Sequence, residues 1–412
     1  MPVLAVRKPT LWLDPRRLSA YGLILAVCIW SVYAWLLTAP GLLDRNHLLK
    51  GTDFLHFYIL GTLVNQHRGA DLYNMNVQTD LAHQWVPEAG RPVYVPMYPP
   101  QVSLLFAPLA RFSYGSALSA WLAISTLLYG MCCYWIWRTC PHLDNHARTA
   151  AILALAYPGF FHLLLWGQTS ALALLCFTLA YLALRGDRQF LAGLAIGSVI
   201  FKPPLGLAAL FVFLLAPEWT LVGGALTAAA AQLSMAWLYY GPAVLRDYLT
   251  RVLHMRDVLP IFEPRPYQMH SLRAFWQLVL PETSLSFWLY VASMVLVLAL
   301  TLTCWRSPAP LALRYGVFLF ATVLVAPHLT IYDLVVLAPA FLLLADWLAE
   351  NSAPPLVIPM LLAAYLLPLV PQAKWTHVQF SVIAMTVLLW TLTRTAHLLR
   401  VNANARQTAT NP

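Results

Sequence analysis

The chain has sixteen acidic residues in 412, so any carboxylate outside an apolar run invites a chemical reading. Asp53 stands in Gly51-Thr52-Asp53-Phe54-Leu55-His56-Phe57-Tyr58. A carboxylate there can take the proton of an incoming hydroxyl if geometry allows. It can equally cap the helix that begins after it. Phe54, Phe57 and Tyr58 recur at helical spacing, which predicts an amphipathic helix lying on a membrane surface. Asp71, in Gly69-Ala70-Asp71-Leu72-Tyr73, reads as a turn residue.

Cations stand apart from the acids. Lys202 lies alone in Phe201-Lys202-Pro203-Pro204, where two short apolar runs meet. Such a cation needs an anionic partner; a phosphate fits, and snorkelling to headgroups is the alternative. The stretch Glu263 to Arg273 mixes Arg265, His270 and Arg273 with aromatic residues. It can hold a phosphate or a sugar, or simply anchor at an interface. His328 and Asp333 share the turn Pro327-His328-Leu329-Thr330-Ile331-Tyr332-Asp333, and Trp166-Gly167-Gln168 forms another. A histidine at a turn can be structural, and tryptophan favours interfaces for amphipathic reasons; both can also meet a substrate. Prolines at Tyr98-Pro99-Pro100 forbid an uninterrupted helix. The six cysteines show neither metal spacing nor a disulfide framework. No second acid adjoins Asp53, so a metal and a cofactor are not expected.

Composition decides what holds these residues. The chain is 60% hydrophobic and 10% charged, with mean hydropathy +0.67; soluble domains carry about 25% charged residues. Only lipid accepts that much apolar surface. The net charge of +9 does not point to nucleic acid, because the basic residues sit in short clusters between apolar runs. Runs near the roughly 20 residues that a crossing needs begin near Ser19, Gly115, Ala147, Gln168, Phe190, Pro204, Trp219, Leu285, Leu311, Ile331, Pro355 and His377. The expected fold is an all-α polytopic membrane protein of about 10–12 transmembrane helices, the pair around Lys202 being short enough for one re-entrant hairpin.

Orientation follows from charge. Arg138 and Arg148, Arg185 and Arg188, and Arg306 and Arg314 fall in alternate short loops, which the positive-inside rule puts in the cytoplasm. The expected organisation is a cytoplasmic segment 1–18, an uncleaved first helix opening a membrane domain 19–400, and a disordered cytoplasmic tail 401–412. Two long loops, near 40–113 and 241–283, then face outward with most of the polar residues named above. Both termini are expected inside, in a multi-pass protein of the bacterial inner membrane.

The order of these motifs resembles glycosyltransferase family 87: Asp53-Phe54, Gly69 to Tyr73, Tyr98 to Pro100, Trp166 to Gln168, Lys202-Pro203, and Pro327 to Asp333. The resemblance implies the C-type glycosyltransferase architecture and transfer of mannose from a polyprenyl-phosphate donor to a glycan or glycolipid acceptor outside the cytoplasm. It maps the catalytic base to Asp53 and the late histidine of the family to His328. Cations must then meet the charge on the leaving phosphate, with Lys202 foremost and Arg265, Arg273 and His328 beside it. Gln168, Trp166 and His270 complete the expected substrate contacts. Family members often carry an Asn-Gln-Ser segment in the second outer loop; here Met269-His270 interrupts it, between Gln268 and Ser271. Two other classes share features of this pattern, a multi-spanning transporter or lipid flippase and a surface-polysaccharide ligase or polymerase. A transporter places ionisable groups near the bilayer midplane, where these runs have almost none.

Overall fold

The computed structural model describes residues 14–280, 282–351 and 354–410. Residues 1–13 of the expected cytoplasmic segment, and 411 and 412 of the tail, lie outside the described residues. Among the described residues the elements are helical, and β pairing is limited to two isolated bridges, Leu43 with Leu49 and Met269 with Thr330. The chain is an all-α polytopic membrane protein.

The twelve apolar runs all fold as helix, to unequal lengths. Six are long and apolar enough to cross a bilayer alone: Pro15–Leu37, Tyr114–Trp137, Trp219–Tyr240, Thr283–Trp305, Ile331–Glu350 and Phe380–Leu399. A seventh, Pro141–Leu155 with Pro158–Trp166, is bent by 42° at its break. The other five, such as Ser170–Arg185 and Leu311–Val325, have 10–17 residues. The last helix runs to Thr410, through the polar stretch 401–410 that was expected to be disordered.

The outward leucines suit lipid. Leu127 is 72% exposed and Leu238 87%, a costly arrangement in water. The centre is the helix Leu311–Val325 and the 3-10 segment Ile331–Leu337, buried along almost their whole length. Carbonyls freed where helices end or tighten cannot turn to water at this depth. Tyrosine hydroxyls satisfy them: Tyr157 donates to the Leu334 carbonyl at 2.6 Å and Tyr290 to that of Val325 at 2.8 Å.

The segment after Asp53 corrects the sequence reading. Phe54–Asn65 is not a surface helix: every residue from Phe54 to Val64 is buried. The aromatic spacing was real, but the faces between those rings are apolar too, and a helix apolar all round is buried. Gly61 permits this burial, since a Cβ there would stand 2.5 Å from the Phe106 carbonyl oxygen.

Lys202 is placed by a close helix pair. A Cβ on Gly193 would stand 2.0 Å from the Leu221 carbonyl oxygen, and one on Gly197 2.1 Å from that of Ala225. Gln189–Gly197 therefore packs backbone to backbone on Trp219–Tyr240, as small residues allow between membrane helices. The chain tightens to 3-10 over Ser198–Phe201, and Lys202 follows at the break before Pro203–Gly206.

Candidate active site

A cavity of about 740 Å³ lies where these elements converge, and Asp53, Trp166, Gln168, Lys202, Arg265 and His328 all line it. Turns far apart in sequence, and assigned to one face by charge, thus meet in one space. His270 and Arg273 do not line it.

Asp53 occupies the N-cap position of Phe54–Asn65, yet its side chain makes no capping hydrogen bond. Its Oδ2 instead accepts from Gln168 Nε2 at 2.6 Å. The side chain is deep in the fold but opens on to the cavity. Burial pushes the carboxyl up to about 6, while Gln168, Lys202 and Tyr332 pull it back. A carboxyl so placed is ionised at neutral pH and close to proton balance, as a general base requires.

The Trp166-Gly167-Gln168 turn is built by its glycine. Gly167 ends the helix Pro158–Trp166 in the left-handed region, at φ +67°, where side chains are penalised. A Cβ there would also stand 2.8 Å from Cβ of Phe54. The Asp53 backbone N–H donates to the Trp166 carbonyl at 3.1 Å. The turn and the acid are thereby locked together, with Tyr98 Oη donating to Gln168 Oε1 at 3.2 Å.

Lys202 is 7% exposed, and Asp333 holds it. Its Nζ donates to Asp333 Oδ1 at 2.5 Å and to Ser170 Oγ at 3.0 Å, beneath the Tyr332 ring at 5.0 Å. Asp333 also closes a capping box with Thr330 through its Oδ2. The expected phosphate cation thus already has a carboxylate partner. Arg265 lines the same cavity and has no ion-pair partner among the described residues.

His270 and Arg273 are turned away by the pairing of two loops. Met269 bridges Thr330, and the His270 N–H donates to the Leu329 carbonyl at 3.0 Å. This sends the imidazole inward, where it is 2% exposed and meets Ser381 Oγ at 2.7 Å. Burial, with His162 nearby, pushes its pKa down to about 3, so it is neutral. Arg273 reaches the Pro327 carbonyl, Gln277 and Glu263.

Three residues escaped the sequence reading. His56 lines the cavity one turn after Asp53, and neither of its ring nitrogens meets a hydrogen-bond partner in bonding geometry. The same is true of Trp166 Nε1, which makes it available to a ligand, whereas the His56 ring has the Gln78 side chain beside it. Tyr332 lies between Lys202 and Asp53. Glu263 binds His328 Nδ1 at 2.7 Å. The scarcity of acids was the usable signal for Glu263. Among the described residues no group of three or more His, Cys, Asp or Glu is placed to hold a metal ion.

Fold and site together define a membrane protein whose acid, amide and cationic groups line one cavity. Residues 97–327, more than half of the chain, match the family model of glycosyltransferase family 87. The chain belongs to that family and is a membrane glycosyltransferase. The matched stretch holds the Tyr98, Trp166, Lys202 and Arg265 segments and ends one residue before His328, while Asp53 precedes it. No curated protein and no solved structure matches the chain.

Proposed function

We propose that the protein moves a hexose, mannose in the first instance, from a polyprenyl-phosphate donor to an acceptor hydroxyl on the extracytoplasmic face of the bacterial inner membrane. The observation that carries this reading is the Asp53 carboxylate, freed from capping and held by Gln168 at the wall of the cavity. In the reaction the acceptor oxygen attacks the anomeric carbon and its proton passes to Asp53. The bond from that carbon to the phosphate oxygen breaks, and its electron pair leaves with polyprenyl phosphate. A single displacement of this kind inverts the anomeric centre.

The wall residues fit the parts of such a donor. Tyr33, Leu36 and Leu37 of the first helix, with Leu207 and Val252, give the cavity apolar walls for an isoprenoid chain. Arg265 and His328 offer donors to the phosphate without a metal. Trp166 Nε1, buried and without a hydrogen-bond partner, suits a sugar hydroxyl, and His56 lines the same cavity. Membership in a glycosyltransferase family favours this reading over a transporter. A surface-polysaccharide polymerase would use the same groups and differ in its acceptor. The test is transfer of labelled mannose from synthetic polyprenyl-phosphate-mannose to extracted membrane lipids. A product linkage that retains the donor's anomeric configuration would contradict the displacement.

A further inference from the structure

Glu263 is a carboxylate with only 4% of its side chain exposed. A buried charge of this kind is costly unless well paired. Its Oε1 accepts from two donors, Arg273 Nη2 and His328 Nδ1, the latter at 2.7 Å. Arg273 alone would answer the charge, so the second donor asks for another explanation.

The surroundings all bear on the imidazole. Phe262, next to Glu263 in the chain, stacks on the His328 ring at 4.1 Å between centroids and 25° between planes. Arg273 Nε donates to the carbonyl of Pro327, the residue before His328. One guanidinium therefore fastens both the carboxylate and the backbone that carries the histidine. With Nδ1 committed to a carboxylate, Nε2 is the ring nitrogen left for a ligand, and His328 lines the cavity. A carboxylate on one imidazole nitrogen fixes the ring's orientation and the tautomer presented at the other.

We propose that Glu263 is a positioning residue for the transfer: it holds His328 so that Nε2 meets the donor phosphate. The proposal rests on the polyprenyl-phosphate reading given above. As the imidazolium, with Nδ1–H on Glu263, His328 donates from Nε2 to a phosphate oxygen, and Arg265 adds a guanidinium from the loop that carries Glu263. Glu263 also lines the cavity, but its Oε1 is committed to Arg273 and His328, and it acts on the donor through His328.

The experiment measures binding of a polyprenyl phosphate to purified protein in lipid nanodiscs, from the ligand-dependent rise in melting temperature. Four proteins are compared: wild type, Glu263→Gln, His328→Phe, which keeps a ring for Phe262, and the double variant. Melting without ligand shows which variants fold. The expected result is a loss of about tenfold in affinity for Glu263→Gln, the lower end of what orienting carboxylates give. The double variant is expected to bind no more weakly than His328→Phe alone, because a residue that acts through the histidine adds nothing once the histidine is gone, whereas a direct contact from Glu263, which also lines the cavity, would add its own loss. Equal affinity of wild type and Glu263→Gln overturns the proposal, as do losses that multiply in the double variant. If wild type itself shows no stabilisation by polyprenyl phosphate, the donor class falls and the proposal falls with it. A wild type that binds beside a Glu263→Gln variant that binds equally removes the role of Glu263 alone.

Discussion

Lys202 and Asp333 meet at 2.5 Å in the interior, 131 positions apart in sequence. Ser170 bonds to both, which ties three segments into one buried polar knot. The lysine is thereby a brace beside the cavity, and Arg265 becomes the better candidate for the phosphate. Removing one partner of a buried pair strands the other charge, at a cost of about 3–5 kcal/mol. Lys202→Met should therefore lower the melting temperature sharply, and adding Asp333→Leu should restore much of it. Arg265→Gln should leave melting unchanged and raise KM for the donor. Thermal unfolding in nanodiscs together with donor titration checks both. A Lys202→Met variant that melts normally and loses only donor affinity would reverse the assignment.

The pH profile follows from burial of Asp53. Its carboxyl is raised to about 6, chiefly by desolvation. As the general base it works ionised, so kcat/KM should climb through about pH 6 and level off above. Gln168 holds the pKa down by its hydrogen bond. Gln168→Leu should shift the limb to higher pH and slow the enzyme most on its acid side. A profile flat between pH 5 and 8 would deny Asp53 this role.

The same shift has a stability sign. A carboxyl whose pKa is higher in the folded than in the unfolded protein loses stability as pH rises, through the window between the two values. For Asp53 that window runs from its ordinary value of 3.8 to about 6. Asp53→Asn removes the ionisation, so this variant should melt higher than wild type at pH 8 and equally at pH 3.5. Inactive yet more stable is the pattern expected of a residue kept for chemistry. Melting curves at the two pH values check it.

Gly167 offers a test of how the site is built. Its positive φ penalises a side chain by about 1–2 kcal/mol, before the clash with Phe54 is counted. Gly167→Ala should lower the melting temperature and, by displacing Gln168, also reduce kcat. Loss of stability with kcat intact would mean that Gln168 is held by other contacts.

Much of this was legible in the sequence because membrane segments obey a simple rule. Apolar runs become helix wherever water is absent, and each of the twelve did. Length was less legible: Leu311–Val325 reads as a crossing from its composition yet ends after 15 residues. The packing of Gly193 and Gly197 on a neighbouring backbone depends on a partner that periodicity does not name. Asp53, Gln168 and His328 could be picked out because polar groups are rare here. The pairing of Lys202 with Asp333 could not, since it joins turns 131 positions apart. Nor could the inward turn of His270, which a single bridge between Met269 and Thr330 dictates. The buried state of Phe54–Asn65 was misread from its aromatic spacing, although the apolar residues between the rings already argued for burial on all sides.

In the proposed reaction Asp53 activates the acceptor for transfer from a polyprenyl-phosphate sugar. The most direct test of that role is transfer of radiolabelled mannose from synthetic polyprenyl-phosphate-mannose to extracted membrane lipids, with purified wild type and Asp53→Asn side by side. Labelled product is expected with wild type and a loss of at least about a hundredfold with the variant, as removal of a general base gives. Full transfer by Asp53→Asn would contradict that role.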